Sequence, residues 1–267
     1  MKSTTQENNK KLSKDAENRQ EGSQSLYRAI SLIRAVARSG DTGIRMSEIA
    51  QEVDLPTSTV HRILSVFVSE RFLEFNQCEK KYSLGYELFA LGAKAHRYQL
   101  LDQYREAIKR VSEVTEETTY LVTRSGNDAL CVDRVLGSYP IQVLTFEVNE
   151  LRPLGIGSGS LAILSLLPDE MIETITTENE EKFKNFKGMN KFEIKKIVKK
   201  VRQDGFAISM KVVNSDTVGV GVAIQDKNGK VVGAISVAGI ASRMKVERRT
   251  EIVDIIRSEI KRVCNQG

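Results

Sequence analysis

The amino-acid sequence predicts an α+β protein, with an N-terminal winged helix-turn-helix domain followed by a larger domain built on an antiparallel sheet. Residues 46–67 have the pattern of two short helices joined by a tight turn, and residues 72–84 have the pattern of a hairpin. Beyond residue 100, short apolar runs alternate with amphipathic helical stretches. That alternation is typical of helices that frame an antiparallel sheet.

The second helix of the pair has one apolar face. It starts near Pro56, and proline is tolerated in the first turn of a helix. Its apolar residues recur with helical spacing; they are Val60, Ile63, Leu64 and Phe67. The other side carries small hydroxyls and an arginine, which suit a DNA groove. These polar residues are Thr57, Ser58, Thr59, His61, Arg62, Ser65 and Ser69. His61 either touches DNA or covers the flank of the helix.

Two helices precede this one. The helix before the turn spans Met46–Val53, with Ser47 near its start. An upstream helix ends at Ser39–Gly40 and is predicted to bury an apolar stripe. The stripe consists of Leu26, Ile30, Ile33 and Ala37. Three helices of this kind make a small DNA-binding core.

A wing is predicted directly after the third helix. Phe72–Phe75 and Lys81–Leu84 are the expected strands, and Asn76–Lys80 is the turn. Lys80 and Lys81 at its tip would reach phosphates. The alternative is a solvated turn with two ordinary surface lysines.

Residues 25–92 resemble the N-terminal domain of the IclR family of bacterial transcriptional regulators. The residues that carry the resemblance are Ser25, Leu26, Arg28, Ala29, Ile49, Ala50, Leu55, Pro56, Ser58, Thr59, Val60, Arg62, Leu64, Tyr82, Leu84 and Gly85. The family usually has glycine where this chain has Asp54 and Arg71. The resemblance implies a double-stranded DNA operator as partner and a homo-oligomer, a dimer or a tetramer. Arg71 adds a positive charge near the expected backbone contact.

Composition excludes some classes of protein. The chain has 267 residues, a net charge of +5 and three cysteines. The cysteines are Cys78, Cys131 and Cys264, which fit neither a disulfide framework nor a zinc site and suit a cytoplasmic protein. No apolar run reaches membrane length. Residues 1–22 are polar and are predicted to be a disordered tail, or alternatively an arm that binds a groove.

The larger domain is predicted from residue 101 onward. Gly85 to about Gln99 reads as a linker helix, which either meets its counterpart in a dimer or packs on its own domain. The expected helices are Leu101–Glu116, Leu161–Leu167, a short one after Pro168, Lys191–Gln203 and Glu247–Val263. The expected strands are Thr118–Thr123, Ala129–Val135, Ile141–Val148, Phe206–Val213, Val218–Gln225 and Val231–Ala238.

This half also resembles the IclR family, whose C-terminal domain is a GAF-like small-molecule sensor. Framework residues such as Arg152, Pro153 and Leu154 match, but the family's pocket residues are largely replaced. The resemblance implies an effector site at Gly157, Ser158, Gly159, Ser160, Ser209, Gly219, Ser236 and Ala238. Fewer polar groups and more room predict an organic or aromatic acid larger or less polar than a two- or three-carbon acid.

Other functions are weaker interpretations of the same sequence. The run Gly155–Ser160 could cradle a phosphate, but it lacks the lysine of a P-loop. The only histidines are His61 and His96, and no catalytic, metal-binding or cofactor-binding set is visible. The basic run Lys191–Lys200 is either a solvated face or a second DNA patch. An enzyme with a DNA-binding head and an architectural DNA-binding protein remain the rivals.

The predicted organisation is therefore a polar tail at 1–22 and a winged helix-turn-helix domain at 23–84. A linker helix follows at 85–100, and an effector-binding domain occupies 101–267. The predicted function is a transcriptional regulator, not an enzyme, whose operator affinity is modulated by a small molecule.

Overall fold

The computed structural model describes residues 23–94, 97–210 and 212–266, so the predicted tail lies outside the described residues. The chain divides between residues 95 and 96 into two compact units. No helix in the described part of the chain is long and apolar enough to cross a membrane.

The N-terminal unit is the predicted winged helix-turn-helix. Its helices are α1 (23–38), α2 (Met46–Glu52), α3 (Thr57–Ser69) and α4 (Tyr86–Ala93), with a 3-10 turn at Gly40–Thr42. Its antiparallel sheet has the order β1-β3-β2. The strands are β1 (Ile44–Arg45), β2 (Leu73–Asn76) and β3 (Lys81–Leu84). The hairpin β2–β3 is the wing.

The core of this unit confirms the apolar face predicted for α3. Val60 and Leu64 are fully buried, with Ile63 and Phe67 packed partly against the same cluster. The stripe predicted for α1 is wrong. Leu26 is 65% and Ile30 is 45% exposed. The residues that α1 buries are Leu32, Ala35 and Val36. The predicted and the observed stripe both fit the helical period. The periodicity alone therefore did not distinguish them, and the buried face includes the small residue Ala35.

The two family glycines that this chain lacks fall where the backbone favours glycine. Asp54 has φ of 51° and Arg71 has φ of 61°. In this left-handed region a Cβ crowds the following carbonyl, at a cost of roughly 1–2 kcal/mol per residue. The turn between α2 and α3 and the entry into the wing therefore carry local strain that a glycine would avoid.

The C-terminal unit is an α+β domain around one six-stranded antiparallel sheet. The strand order is β6-β5-β4-β9-β8-β7. The strands are β4 (Thr118–Ser125), β5 (Asp128–Val135), β6 (Leu151–Pro153), β7 (Ala207–Met210), β8 (Thr217–Gln225) and β9 (Val231–Ile240). The helices are α5 (Arg97–Thr115), α6 (Ser158–Ser165), α7 (Asp169–Glu178), α8 (Glu180–Phe183), α9 (Lys191–Asp204) and α10 (Val246–Gln266).

Helices cover both faces of this sheet. On one face, α5 and α10 enclose a cluster that includes Ile108, Leu121 and Ile252. On the other, α6, α7 and α9 enclose a second cluster that includes Leu164 and Ile194. The alternating side chains of each strand supply both clusters, as expected for a sheet buried on two sides. The predicted fold class is confirmed.

Several predicted boundaries are wrong. The segment 141–148 is not a strand, and the edge strand is the short β6. The linker is not one helix to residue 99, because α4 ends at Ala93 and α5 begins at Arg97. Strand β7 ends at Met210, short of the predicted Val213. Helix α6 starts at Ser158, three residues before the predicted Leu161, because Gly157 adopts φ of 92° as its N-cap.

Candidate DNA-binding surface and effector pocket

Helix α3 presents a polar face opposite the core. Arg62 and Ser58 are exposed on it, whereas Val60 and Leu64 point into the unit. The predicted DNA-contact residues are Ser47, Thr57, Ser58, Thr59, His61, Arg62, Ser65, Arg71, Lys80 and Lys81. All of them are exposed except Thr59 and Lys81, which are half-buried. They all lie within the helix-turn-helix and wing of the N-terminal unit.

The two wing lysines differ in freedom. The Lys81 ammonium donates to the Thr42 carbonyl at 3.0 Å and lies 3.3 Å from the Glu79 carboxylate. Lys80 is exposed at the tip, with its ammonium 6.0 Å from the Phe75 ring. Lys80 can therefore reach outward, while Lys81 fastens the wing to the turn before β1.

Not every hydroxyl on α3 is free to recognise a base. Ser65 Oγ donates to the His61 carbonyl at 2.8 Å, and Ser69 Oγ donates to the Val66 carbonyl at 2.8 Å. Val66 is 57% exposed, one turn after Arg62, and sequence reasoning missed it. An apolar side chain there can contact a thymine methyl group. The one feature of the sequence that could have identified Val66 is that it is an apolar residue outside the buried stripe of α3.

The C-terminal unit contains a pocket on the face covered by α6. Its open space, including the mouth, is about 510 Å³. All the predicted effector residues line it: Gly157, Ser158, Gly159, Ser160, Ser209, Gly219, Ser236 and Ala238. Strands β7, β8 and β9 and the start of α6 bring these residues together although they are distant in sequence.

Helix α6 begins directly at the pocket because β8 has glycines beneath it. A Cβ at Gly219 would lie 2.6 Å from Ser158 Oγ, and one at Gly221 would lie 2.5 Å from the Ser158 carbonyl carbon. A side chain at Gly221 would displace the backbone of the helix, whereas one at Gly219 would displace the Ser158 hydroxyl. Ser160 Oγ accepts from the Gly155 N–H at 2.7 Å and so fixes the loop before α6. The first N–H groups of α6 are left for an acceptor in the pocket.

Two serine hydroxyls that face this pocket have no partner among the described residues. Ser158 and Ser236 are each 6% exposed, and neither side chain hydrogen-bonds to any described residue. The residues are buried, but their hydroxyls open onto the pocket, so each is free to bond to water or a ligand there. A helix N-terminus beside them favours negative charge. The arrangement is suited to a carboxylate.

Several further pocket residues were missed by sequence reasoning. Arg152, Tyr120, Thr145 and Phe146 also line it. Tyr120 Oη donates to the Val143 carbonyl at 2.6 Å and accepts from the Thr145 N–H at 3.2 Å. Burial raises the pKa of Tyr120, so its hydroxyl keeps its proton. Arg152 matched the family framework, but nothing in the sequence placed it at the pocket.

The part of the chain that the structure describes offers no cluster suited to metal chemistry. Among the described residues, no group of three or more His, Cys, Asp or Glu side chains could hold a metal ion. Cys131 lies on β5 in the core, and burial raises the pKa of its thiol to about 12. A thiol that stays protonated is a poor nucleophile.

Comparison with known proteins gives matches over both units. Residues 25–77 match the family described as the IclR helix-turn-helix domain, and residues 92–265 match the bacterial transcriptional regulator IclR C-terminal domain. The chain is 24% identical over 245 residues to the HTH-type transcriptional repressor AllR of Salmonella typhi, which covers 91% of this chain and 89% of that protein. The AllR repressor of Escherichia coli K12 is 24% identical over 241 residues, or 89% and 88% of the two chains.

Solved structures share the fold over nearly the whole chain. An IclR homologue from Microbacterium hydrocarbonoxydans, complexed with 4-hydroxybenzoate, has a TM-score of 0.77 and 20% identity, covering 91% of this chain and 100% of that one. The Thermotoga maritima IclR has a TM-score of 0.69 and 21% identity, covering 91% and 98%.

Proposed function

The chain belongs to the IclR family of bacterial transcriptional regulators, and from that premise we propose that a small organic acid in the C-terminal pocket changes its affinity for a double-stranded operator. It is a DNA-binding regulator rather than an enzyme. The domains we propose are 23–84 for DNA binding, 85–100 as linker and 101–267 for the effector.

The DNA contacts are assigned by exposure and chemistry. Arg62, at the centre of the exposed face of α3, is the base-reading residue, because an arginine can bond guanine bidentately in the major groove. Thr57 and Ser58, at the start of α3, approach the DNA backbone, because the free N–H groups at a helix N-terminus favour a phosphate. Arg71 and Lys80 contact phosphates beside the groove. The remaining predicted residues are Ser47, Thr59, His61, Ser65 and Lys81, which border the same surface.

The effector assignment depends on one observation, the pocket-facing hydroxyls of Ser158, at the start of α6, and Ser236, on β9 beside it, neither of which has a protein partner among the described residues. A carboxylate would accept hydrogen bonds from both hydroxyls and from the first N–H groups of the helix. Gly157, Gly159, Gly219 and Ala238 leave the space, and Ser160 and Ser209 border it. The homologue crystallised with 4-hydroxybenzoate supports an organic acid of about the size of that compound.

We also infer a homo-oligomer, a dimer or a tetramer, in the cytoplasm and without a membrane partner. The N-terminal unit exposes large apolar side chains on two helices. They are Leu26, Tyr27 and Ile30 of α1 and Tyr86, Phe89 and Leu91 of α4. Pairing two copies would remove these side chains from water, and a two-fold dimer matches a near-palindromic operator.

The mechanism is a population shift between two geometries of the oligomer. The effector changes operator affinity only if it binds the two geometries unequally. The curated relatives are named repressors, so we infer repression, with the effector changing the occupancy of the operator.

The test is binding of the full chain to a labelled duplex from its own upstream DNA, at one fixed salt concentration. A panel of aromatic and aliphatic acids is then titrated in. We expect specific binding that one acid changes at least fivefold, and Ser158→Ala should blunt that change while leaving binding without acid intact. Specific DNA binding that no acid alters would contradict the effector proposal. Absence of specific binding to any duplex tested, distant operators included, would contradict the whole proposal.

A further inference from the structure

We propose that Arg152 recognises a second oxygen-bearing group on the effector, so that the ligand is an acid with a hydrogen-bond acceptor at its far end. The inference rests on the proposed function, because it concerns the same pocket. It names the class of acid and the residue that selects it.

Arg152 is buried but only partly used by the protein. It is 7% exposed and lines the pocket. Its Nη2 donates to the Thr145 carbonyl and, at 3.1 Å, to the Glu150 carboxylate. Within the described residues, every hydrogen bond of its guanidinium comes from Nη2. An arginine has five N–H donors, so Nε and Nη1 remain available to an acceptor in the pocket.

The surroundings hold the guanidinium in place. Its carbon lies 4.3 Å from the centre of the Phe146 ring, which covers the group. Tyr120 Oη is bonded to the Val143 carbonyl and the Thr145 N–H, and thereby fixes the loop that accepts from Arg152. The side chain is therefore preorganised, and a ligand that bonds to it loses little arginine entropy.

Arg152 and the residues proposed to bind the ligand's carboxylate lie on different strands of the sheet. Arg152 is on β6, one edge strand, whereas Ser209 is on β7, the other edge strand, and both line the pocket. Ser236 is on β9, three strands from β6, and neighbouring strands are about 4.8 Å apart. A ligand whose carboxylate lies against Ser158 and Ser236 thus presents its other end toward Arg152.

The net charge around Arg152 determines which oxygen-bearing groups of a ligand can bind there. Glu150 already offsets part of the positive charge, so a neutral hydroxyl is accepted as well as a carboxylate. The pocket wall also includes apolar side chains, namely Val122, Ile156, Val213 and Val218. The predicted class is therefore an acid with an apolar middle and an oxygen acceptor at the end opposite the carboxylate.

Isothermal titration of the full chain tests this with two matched pairs of acids. The pairs are benzoate with 4-hydroxybenzoate, and butyrate with glutarate. In at least one pair, we expect the acid with the second oxygen group to bind at least tenfold more tightly. Arg152→Met keeps an apolar stem and removes every donor, so it should abolish that preference and leave the simple acid within about twofold. Ser158→Ala is the matched control and should weaken both members of the pair equally.

Three results would overturn the inference: no preference in either pair, loss of both members in Arg152→Met, or no binding of any of the four acids. If Arg152→Met does not fold, as judged by its thermal transition, Arg152→Lys replaces it and should reduce the preference at least threefold. Operator binding is measured in parallel. If some other acid changes operator affinity while these pairs show no preference, the proposed function stands and only the inference about Arg152 fails.

Discussion

Gly85 lies directly against the main-chain carbonyl of Arg71. A Cβ at residue 85 would be 2.2 Å from that oxygen and 2.9 Å from the Leu73 nitrogen. The same oxygen accepts from the Glu87 N–H at 3.2 Å, at the start of α4. The residue that enters the wing and the residue that leaves it are thus packed backbone to backbone. This contact explains why residue 85 is a glycine.

Replacing Gly85 should destabilise the N-terminal unit. In Gly85→Ala the clash is with backbone atoms, which cannot move aside as a flexible side chain can. We expect a loss of about 2–3 kcal/mol in the free energy of unfolding, at the upper end of typical overpacking costs. Urea unfolding of the full chain measures it. The matched control is Gly126→Ala, where no atom lies within 4 Å of the added Cβ although φ is +62°, so its cost is backbone strain alone. Equal losses in the two variants would contradict the packing argument.

Relieving the strain at Arg71 should separate stability from DNA affinity. Arg71→Gly removes a side chain from φ of 61°, and we expect a gain of about 0.5–1 kcal/mol after the entropic cost of glycine. It also removes an exposed cation, so operator affinity should fall uniformly across sequences. Asp54→Gly is the matched control, with φ of 51° and no cation lost. It should gain stability without losing affinity; equal affinities for both variants would remove Arg71 from the DNA surface.

Arg62 should carry sequence recognition. Arg62→Ala is expected to weaken operator binding by about 1–3 kcal/mol and to relax preference at one base pair. Fluorescence anisotropy with operator and single-base variants measures both effects. Ser69→Ala is the control on the same helix, because its hydroxyl already donates to the Val66 carbonyl. Unchanged binding of Arg62→Ala to the true operator would exclude Arg62 from the interface.

The two wing lysines should behave differently. Lys80→Ala should reduce the slope of log affinity against log salt by about 1, as expected for one lost phosphate contact, without changing stability. Lys81→Ala should lower stability as well, because its ammonium bonds the Thr42 carbonyl. Salt titrations of operator binding and thermal melts measure the pair. Identical salt slopes for Lys80→Ala and wild type would place the tip of the wing away from DNA.

The sequence predicted α3 well because its burial follows one strong helical period, and Val60 and Leu64 are fully buried as expected. The segment 141–148 was predicted wrongly because its alternation has another cause. Val143 and Phe146 are buried in a loop that borders the pocket at Phe146, and the Tyr120 hydroxyl bonds to this loop in place of a strand ladder.

The residues predicted to bind the effector were identified through the family resemblance, and no sequence pattern of their own singled them out. Ser158 and Ser236 are ordinary serines in the sequence. That their hydroxyls have no hydrogen-bond partner among the described residues can be seen only in the folded structure. Arg152 could not be placed at the pocket for a related reason. Its partners are a carbonyl in the misassigned loop and the nearby Glu150, so its position depends on that loop's path.

The buried thiol of Cys131 should make the C-terminal unit less stable to unfolding at alkaline pH. Burial raises its folded-state pKa from 9.0 to about 12, so the folded state holds the proton more tightly than the unfolded state does. The stabilisation is therefore fully present below about pH 9 and is lost as pH rises toward 12. Between those values the free energy of unfolding should fall by roughly 1.4 kcal/mol per pH unit from this group.

Urea unfolding of wild type and Cys131→Ala between pH 7 and pH 11 isolates the contribution of this thiol. Burial also raises the pKa values of Tyr104 and Tyr120, and both chains share those groups, so the difference between the curves belongs to Cys131. We expect the variant to be less stable at pH 7, because it leaves a small cavity, and the two curves to converge above pH 9. Parallel curves over the whole range would contradict a raised pKa, since a thiol that ionised equally in both states would have no effect on the slope.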